Sequence, residues 1–144
     1  MRTVHHILQS KGTIVWSVSP GATVFEALSL MAEKNIGALP VVDDAALTGI
    51  FSERDYARKV ALKGKSSKEV QVREVMTPGV FSVAPAASIE ECMKIMTERH
   101  IRHLPVLRDG KLAGMISIGD VVKEIIADQR ATIDQLSGYI TGKA

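Results

Sequence analysis

Apolar and polar positions along the chain fall into two rhythms that succeed one another in the same order twice. Thr13 to Ser19 is β-branched and apolar, and Pro20-Gly21 breaks it, so a strand followed by a turn is predicted. Thr23 with Glu26 three residues on is a capping-box pattern, and Val24, Ala27, Leu28, Met31 and Ala32 then recur at helical spacing as far as Asn35, a stop signal. Ala38 to Val42 is a short apolar strand, Asp43-Asp44 a turn, and Leu47 to Phe51 the hairpin partner. A second helix is predicted from Asp55 through Tyr56 and Val60 to about Gly64.

The second half repeats the series with Val80 to Val83, Pro85, Ser88 as cap with Glu91, and Ile89, Cys92, Met93 and Met96 on a helix running to His100. Leu104 to Leu107, the turn Asp109-Gly110 and Leu112 to Ile116 follow. Val15 to Asp55 aligns without a gap on Val80 to Asp120, an offset of 65 residues, with 17 of 41 positions identical. A duplicated unit of this size buries its apolar face against its neighbour. The fold class expected is therefore α/β, of the α+β kind: two β-α-β-β-α repeats sharing a core. The domains expected are residues 1–65, repeat one with an N-terminal segment, and 66–144, repeat two with an extended C-terminal helix. The polar stretch Gly64-Lys65-Ser66-Ser67-Lys68 is read as the link. That last helix carries an apolar stripe, Val121, Val122, Ile125, Ile126, Ile133, Leu136, Tyr139 and Ile140, longer than one repeat can cover. It suits packing on a partner subunit, or folding back over its own module.

With 46% hydrophobic and 24% charged residues the 144-residue chain can bury a core, and with only 4% aromatic residues that core is aliphatic. Net charge is +2, with both signs interleaved and no basic stripe carrying aromatics, which argues against a nucleic-acid partner. Cys92 stands alone in a helical apolar rhythm and reads as a small core residue. The start lacks the apolar region of a signal peptide and no apolar run approaches membrane-spanning length, so a cytoplasmic protein without a membrane partner is expected. His5, His6 and His100 have no ligand set around them and read as surface residues; no metal is expected.

The sharpest pattern is Gly-x-x-Ser-x-x-Asp, as Gly49 to Asp55 and Gly114 to Asp120. Each is a strand ending in a hydroxyl and running into a helix whose first turn carries a carboxylate. Ser and Asp can point into one cleft, where a carboxylate accepts two hydrogen bonds from a vicinal diol such as a ribose. The alternative is ordinary: Ser caps the helix and Asp favours its dipole.

Leu39-Pro40-Val41 and Leu104-Pro105-Val106, each followed by that motif, resemble a tandem pair of cystathionine-β-synthase-type (CBS) domains, a Bateman module, from Val4 to the final helix. The resemblance implies repeats packed about a pseudo-twofold axis with two clefts for adenosine nucleotides. It implies that Asp55 and Asp120 hold ribose hydroxyls and that Ser52 and Ser117 contact ribose or phosphate. Residues near Val18, Ala38, Val83 and His103 would line the adenine pockets, and Arg102 and His103 would reach phosphates, unless they are simply solvated at the start of the strand. Arg54, opposite Gly119, gives the first motif its own cation, and Gly119 leaves space, so the clefts should differ. The expected function is a non-catalytic regulatory module binding AMP or ATP, with NAD(H) as a further candidate, without an obligatory metal. It would sense energy or redox state as a homodimer and report to an unidentified regulated protein. The alternative is a protein interaction module with vestigial clefts.

Overall fold

The structure, a computed structural model, describes residues 2–12 and 14–140, with side chains to residue 138. In chain order the elements are α1 (Val4–Lys11), α2 (Val24–Lys34), β1 (Ala38–Asp43), β2 (Ala46–Ser52), α3 (Glu53–Tyr56, prolonged by a π-helical turn Ala57–Ala61), α4 (Val72–Val75), α5 (Ile89–Arg99), β3 (His103–Arg108), β4 (Lys111–Ser117) and α6 (Ile118–Ile140). Each repeat is one antiparallel hairpin, β1-β2 or β3-β4, covered by helices.

The two hairpins share a register to the residue. Val41 faces Gly49 and Val42 faces Leu47, so Thr48 is a bulge; Val106 faces Gly114 and Leu107 faces Leu112, which makes Ala113 its counterpart. The connections are two-residue turns with both residues at positive φ: Asp44 and Ala45 at 51° and 71°, Asp109 and Gly110 at 52° and 76°. Such turns match the twist of the flanking strands. The first turn therefore sits one residue later than Asp43-Asp44, because Asp43 is still paired, to Ala46.

The strands expected before each α-helix shrink to single parallel bridges, Val18 with Val41 and Val83 with Val106. Val18 N–H donates to the Pro40 carbonyl at 3.2 Å and Val42 N–H to the Val18 carbonyl at 2.9 Å. The next rung would need an N–H from Pro40, or from Pro105 in the second repeat, and proline has none. Thr13, the first residue of the expected strand, lies outside the described residues, as do the side chains of Tyr139 and Ile140 at the end of the apolar stripe.

Helix starts follow the capping chemistry. Thr23 and Ser88 accept from Glu26 N–H and Glu91 N–H, both at 3.1 Å, which is the hydroxyl half of the expected capping boxes. Asn35 and His100 end α2 and α5 in the left-handed conformation. The helix at the first motif begins at Glu53 rather than Asp55, since Ser52 is its N-cap and Asp55 its third residue.

Two short helices, α1 and α4, lie outside the predicted repeats and tie them together crosswise. Val4, Ile7 and Leu8 of α1 are buried in the core of the second repeat with Val83, Ile89, Cys92, Met96, Leu104, Val106, Ile116 and Val121. Val70, Val72 and Val75 around α4 are buried in the core of the first with Val24, Met31, Leu39, Val41, Phe51 and Val60. Packing thus crosses the 65/66 boundary. At about 1.5–3 kcal/mol per buried aliphatic side chain, the three apolar residues of α1 make it an integral part of the distant repeat. Backbone bonds repeat the exchange: Val4 N–H donates to the Ala87 carbonyl and Ile89 N–H to Arg2, while Val72 N–H donates to Ala22 and Val24 N–H to Val70.

Candidate functional site

The motif glycines are where these straps press on the hairpins. A Cβ on Gly49 would lie 2.8 Å from the Thr77 carbonyl oxygen and 2.9 Å from Met76 Sδ; one on Gly114 would lie 2.6 Å from Leu8 Cδ2. Ser and Asp of each motif then form a reciprocal cap. Ser52 N–H donates to Asp55 Oδ2 at 2.9 Å and Ser117 N–H to Asp120 Oδ2 at 2.8 Å, while Asp55 N–H and Asp120 N–H each donate to the serine Oγ at 3.2 Å.

Beyond the cap the two aspartates part company. Asp55 also receives its own Ser52 hydroxyl at 3.0 Å, the Thr77 hydroxyl at 3.2 Å and the Lys59 ammonium at 3.0 Å, and its side chain is only 10% exposed. Lys59 Nζ reaches on to the Val75 carbonyl, and Thr77 pairs through both backbone groups with Ile50 on the free edge of β2. Arg54 Nη1 donates across the repeats to the His100 carbonyl at the end of α5. The first motif is thereby packed over by its own chain.

At the second motif a cavity of about 330 Å³ stands open, within the range of small-ligand sites. It is lined from three directions: the end of α2 and start of β1 (Asn35, Ile36, Gly37, Ala38), the second hairpin with the first turn of α6 (His103, Gly114 to Ser117, Asp120), and the first strap (Leu8, Lys11, Gly12, Ile14, Trp16). Two positions beside it differ between the repeats. Gly119 stands where Arg54 would reach across, and Gly37 stands where the second repeat has Arg102. Trp16 lies at the wall with the Lys34 ammonium 4.1 Å from its ring centroid, an arrangement repeated by Phe81 and Arg99 at 4.5 Å.

Lys11 reaches into this cavity, donating to Asp120 Oδ2 at 2.7 Å and to the Met115 carbonyl at 2.9 Å. Burial alone would raise the Asp120 carboxyl, but the hydrogen bond and charge of Lys11, with the Ser117 N–H, outweigh it and hold the group below the ordinary carboxylate value. His103 moves below its ordinary 6.5: burial comes first, then the Lys11 and Arg102 charges, against the opposing pull of Asp120. This favours the uncharged ring. Among the lining residues the ammonium is that of Lys11.

Of the residues expected to form a site, the structure brings Ala38, His103, Ser117 and Asp120 to the cavity. Ser52, Asp55 and Arg54 lie at the covered first motif. Val18 and Val83 form the bridges behind the hairpins. Arg102 is exposed, and its carbonyl accepts from Ile118 N–H at 2.8 Å. Sequence reasoning missed Lys11, Trp16 and Gly37. The reason lies in an offset the repeat does not show: Arg2 and Val70 make corresponding backbone bonds, as do Val4 and Val72, which is 68 residues rather than 65, so the first strap carries three extra residues before its repeat.

Comparison with known proteins assigns this architecture. The CBS domain family model matches residues 13–62 and 72–127. The chain belongs to the CBS-domain family. Its two CBS domains make a pair, in a family of regulatory, signal-transduction modules; the matching model is not that of a catalytic family. The chain is 53% identical to a protein with CBS domains from Burkholderia ambifaria of solved structure, with a TM-score of 0.85 over 89% of this chain and 96% of that one. A CBS-domain-containing protein from Agrobacterium tumefaciens is 40% identical, with a TM-score of 0.81 over 85% of this chain and 98% of the other. The mitochondrial CBS domain-containing protein CBSX3 of Arabidopsis thaliana is 37% identical over 97% of this chain and 72% of its own length. Among the described residues no helix is long and apolar enough to cross a membrane, and no cluster of three or more metal-ligating side chains occurs.

Proposed function

We propose that this CBS pair is a non-catalytic regulatory module that binds an adenosine nucleotide, AMP or ATP with NAD(H) as a further candidate, in the cavity at Asp120. One observation carries the reading: a cavity of nucleoside-accommodating size where a carboxylate, a hydroxyl, an apolar wall and an ammonium converge, while the duplicate motif is covered. Asp120 would accept from the ribose diol, with Ser117 beside it, as the family resemblance implies. Ala38, Ile36 and Ile14 offer apolar contact to a base, and Trp16 a ring face. Binding between elements of both repeats would bias their relative arrangement, because a ligand shifts an equilibrium by its differential affinity for two states. A cytoplasmic location, a homodimer and a regulated partner protein are parts of this proposal.

A second reading, an interaction module working through α6, is favoured by Ile133 and Leu136, 59% and 57% exposed on that helix. Calorimetric titration with AMP, ATP, NADH and S-adenosylmethionine decides between them. The nucleotide reading expects one of these to bind more tightly than about 1 mM, at one site per chain, and to be lost in Asp120→Ala. No heat with any of the four refutes it and leaves the interaction reading.

A further inference from the structure

We infer that Lys11 is the residue by which the cavity selects phosphorylated ligands, exchanging its Asp120 contact for the ligand's phosphate when a nucleotide enters. The inference rests on the proposed nucleotide site and adds to it a selectivity the motif residues do not possess. Three observations lead there. Asp120 Oδ2 is already engaged by the Lys11 ammonium at 2.7 Å, so a vicinal diol that bridges both carboxylate oxygens competes with Lys11. The Lys11 side chain is 40% exposed and closes the C-terminal end of α1, while the helix is anchored further back by Val4, Ile7 and Leu8. An ion pair so exposed is weak, and the long side chain can swing without unseating the helix. Finally, Lys11 is the ammonium among the lining residues: Arg102 does not line the cavity, and burial moves the His103 ring below its ordinary value, towards the uncharged form.

A neutral nucleoside would displace Lys11 from Asp120 and give it nothing in return. A nucleotide supplies a new anion, so the ammonium keeps a charged partner. The first repeat has no equivalent exchange: Lys59, four residues from Asp55 on the same helical stretch, does not line the cavity, and Asp55 beside it is covered by Thr77 of the strap.

The test measures dissociation constants of AMP and adenosine, by calorimetry and by the fluorescence of Trp16, the chain's single tryptophan, which lies on the cavity wall. The wild-type chain is expected to bind AMP at least about tenfold more tightly than adenosine, the value of one charged hydrogen bond. In Lys11→Met the ratio should collapse to within about threefold, adenosine gaining as AMP loses. Lys11→Arg, which keeps the charge, should retain the ratio, and far-UV circular dichroism of each variant establishes that it is folded. A ratio near one in the wild type, an undiminished ratio in folded Lys11→Met, or a collapsed ratio in Lys11→Arg overturns the inference while leaving the nucleotide site standing. If neither ligand binds any of the three proteins, Lys11 selects no AMP and the inference falls, whatever ATP and NADH show for the site.

Discussion

Replacing each motif aspartate by alanine separates an acid packed over by its own chain from one that lines an open cavity. Asp55 collects four donors: Ser52 N–H, the Ser52 and Thr77 hydroxyls and the Lys59 ammonium. Asp55→Ala leaves the residue-55 N–H on the Ser52 hydroxyl but strips the half-buried Ser52 N–H of its acceptor, a penalty of about 1–3 kcal/mol, and takes the acceptor of the Ser52 hydroxyl, about 1 kcal/mol more. Thr77 is exposed and Lys59 is 43% exposed, so both recover water and add little. The sum is roughly 2–4 kcal/mol. Asp120 collects only Ser117 N–H and Lys11; the half-buried Ser117 N–H loses its acceptor in the same way, and the exposed Lys11 pair adds little, so Asp120→Ala should cost roughly 1–3 kcal/mol, about 1 kcal/mol less than Asp55→Ala. For a domain of this length the two losses correspond to about 5–15 °C and about 2–10 °C in Tm. Urea denaturation followed by far-UV circular dichroism, with m unchanged, reads the difference directly. Equal losses, or a larger loss from Asp120→Ala, would show that the covered first motif is not the structural one.

The motif glycines give a second ordering. Gly49→Ala drives a methyl group into the Thr77 carbonyl and Met76, and backbone cannot step aside, so overpacking of about 2–3 kcal/mol is expected in the same urea assay. Gly114→Ala meets only the end of the Leu8 side chain, which can rotate, and should cost about 1 kcal/mol less; the reverse order contradicts the strap contacts described. His103 shapes the pH dependence. Because its folded-state value lies below 6.5, the unfolded chain takes up the proton first, so stability falls as pH drops below about 6.5 towards that folded value. His103→Gln should flatten this slope between pH 7 and 5 in denaturation curves, and parallel wild-type and variant profiles would refute it.

Much of this fold was written in local patterns. Thr23, Ser88, Asn35 and His100 mark helix ends by side chain and position, and Leu-Pro-Val with its hairpin partner specifies a paired strand from a few residues. What escaped were features decided by tertiary contact. The strand before each helix fails at Pro40 and Pro105, residues on a different element, and the turn at Asp44-Ala45 moves because a bulge lies across the hairpin at Thr48. Helices α1 and α4 are too short to announce themselves by periodicity, and their apolar residues make sense only against the repeat they join. Of the site, Asp120, Ser117, Ala38 and His103 were legible because the motif and the strand start are local. Lys11 and Trp16 were not, since they reach the cavity from a strap more than ninety residues away in sequence from Asp120.

The unequal fate of two nearly identical motifs follows from a three-residue difference outside both. From Arg2 to Leu8 and from Val70 to Met76 the straps are equivalent, each bonding its repeat through the same backbone groups. Between Leu8 and Val15 lie six residues, but between Met76 and Val80 only three. The shorter strap leaves its helix at once, and Thr77 runs along β2, pairing with Ile50 and capping Asp55. In the longer strap α1 runs four residues further than α4, just over one helical turn of 3.6 residues, and so brings Lys11 to the position beside the motif acid. Backbone pairing on one side is replaced by a single side-chain ammonium on the other, bonded to the matching carbonyl of Met115. A backbone strand cannot be displaced by a small ligand without unmaking the hairpin edge, whereas a half-exposed lysine can. Duplication supplied two acids in one geometry; the length of the segment leading into each repeat decides which of them holds the fold and which faces an open cavity.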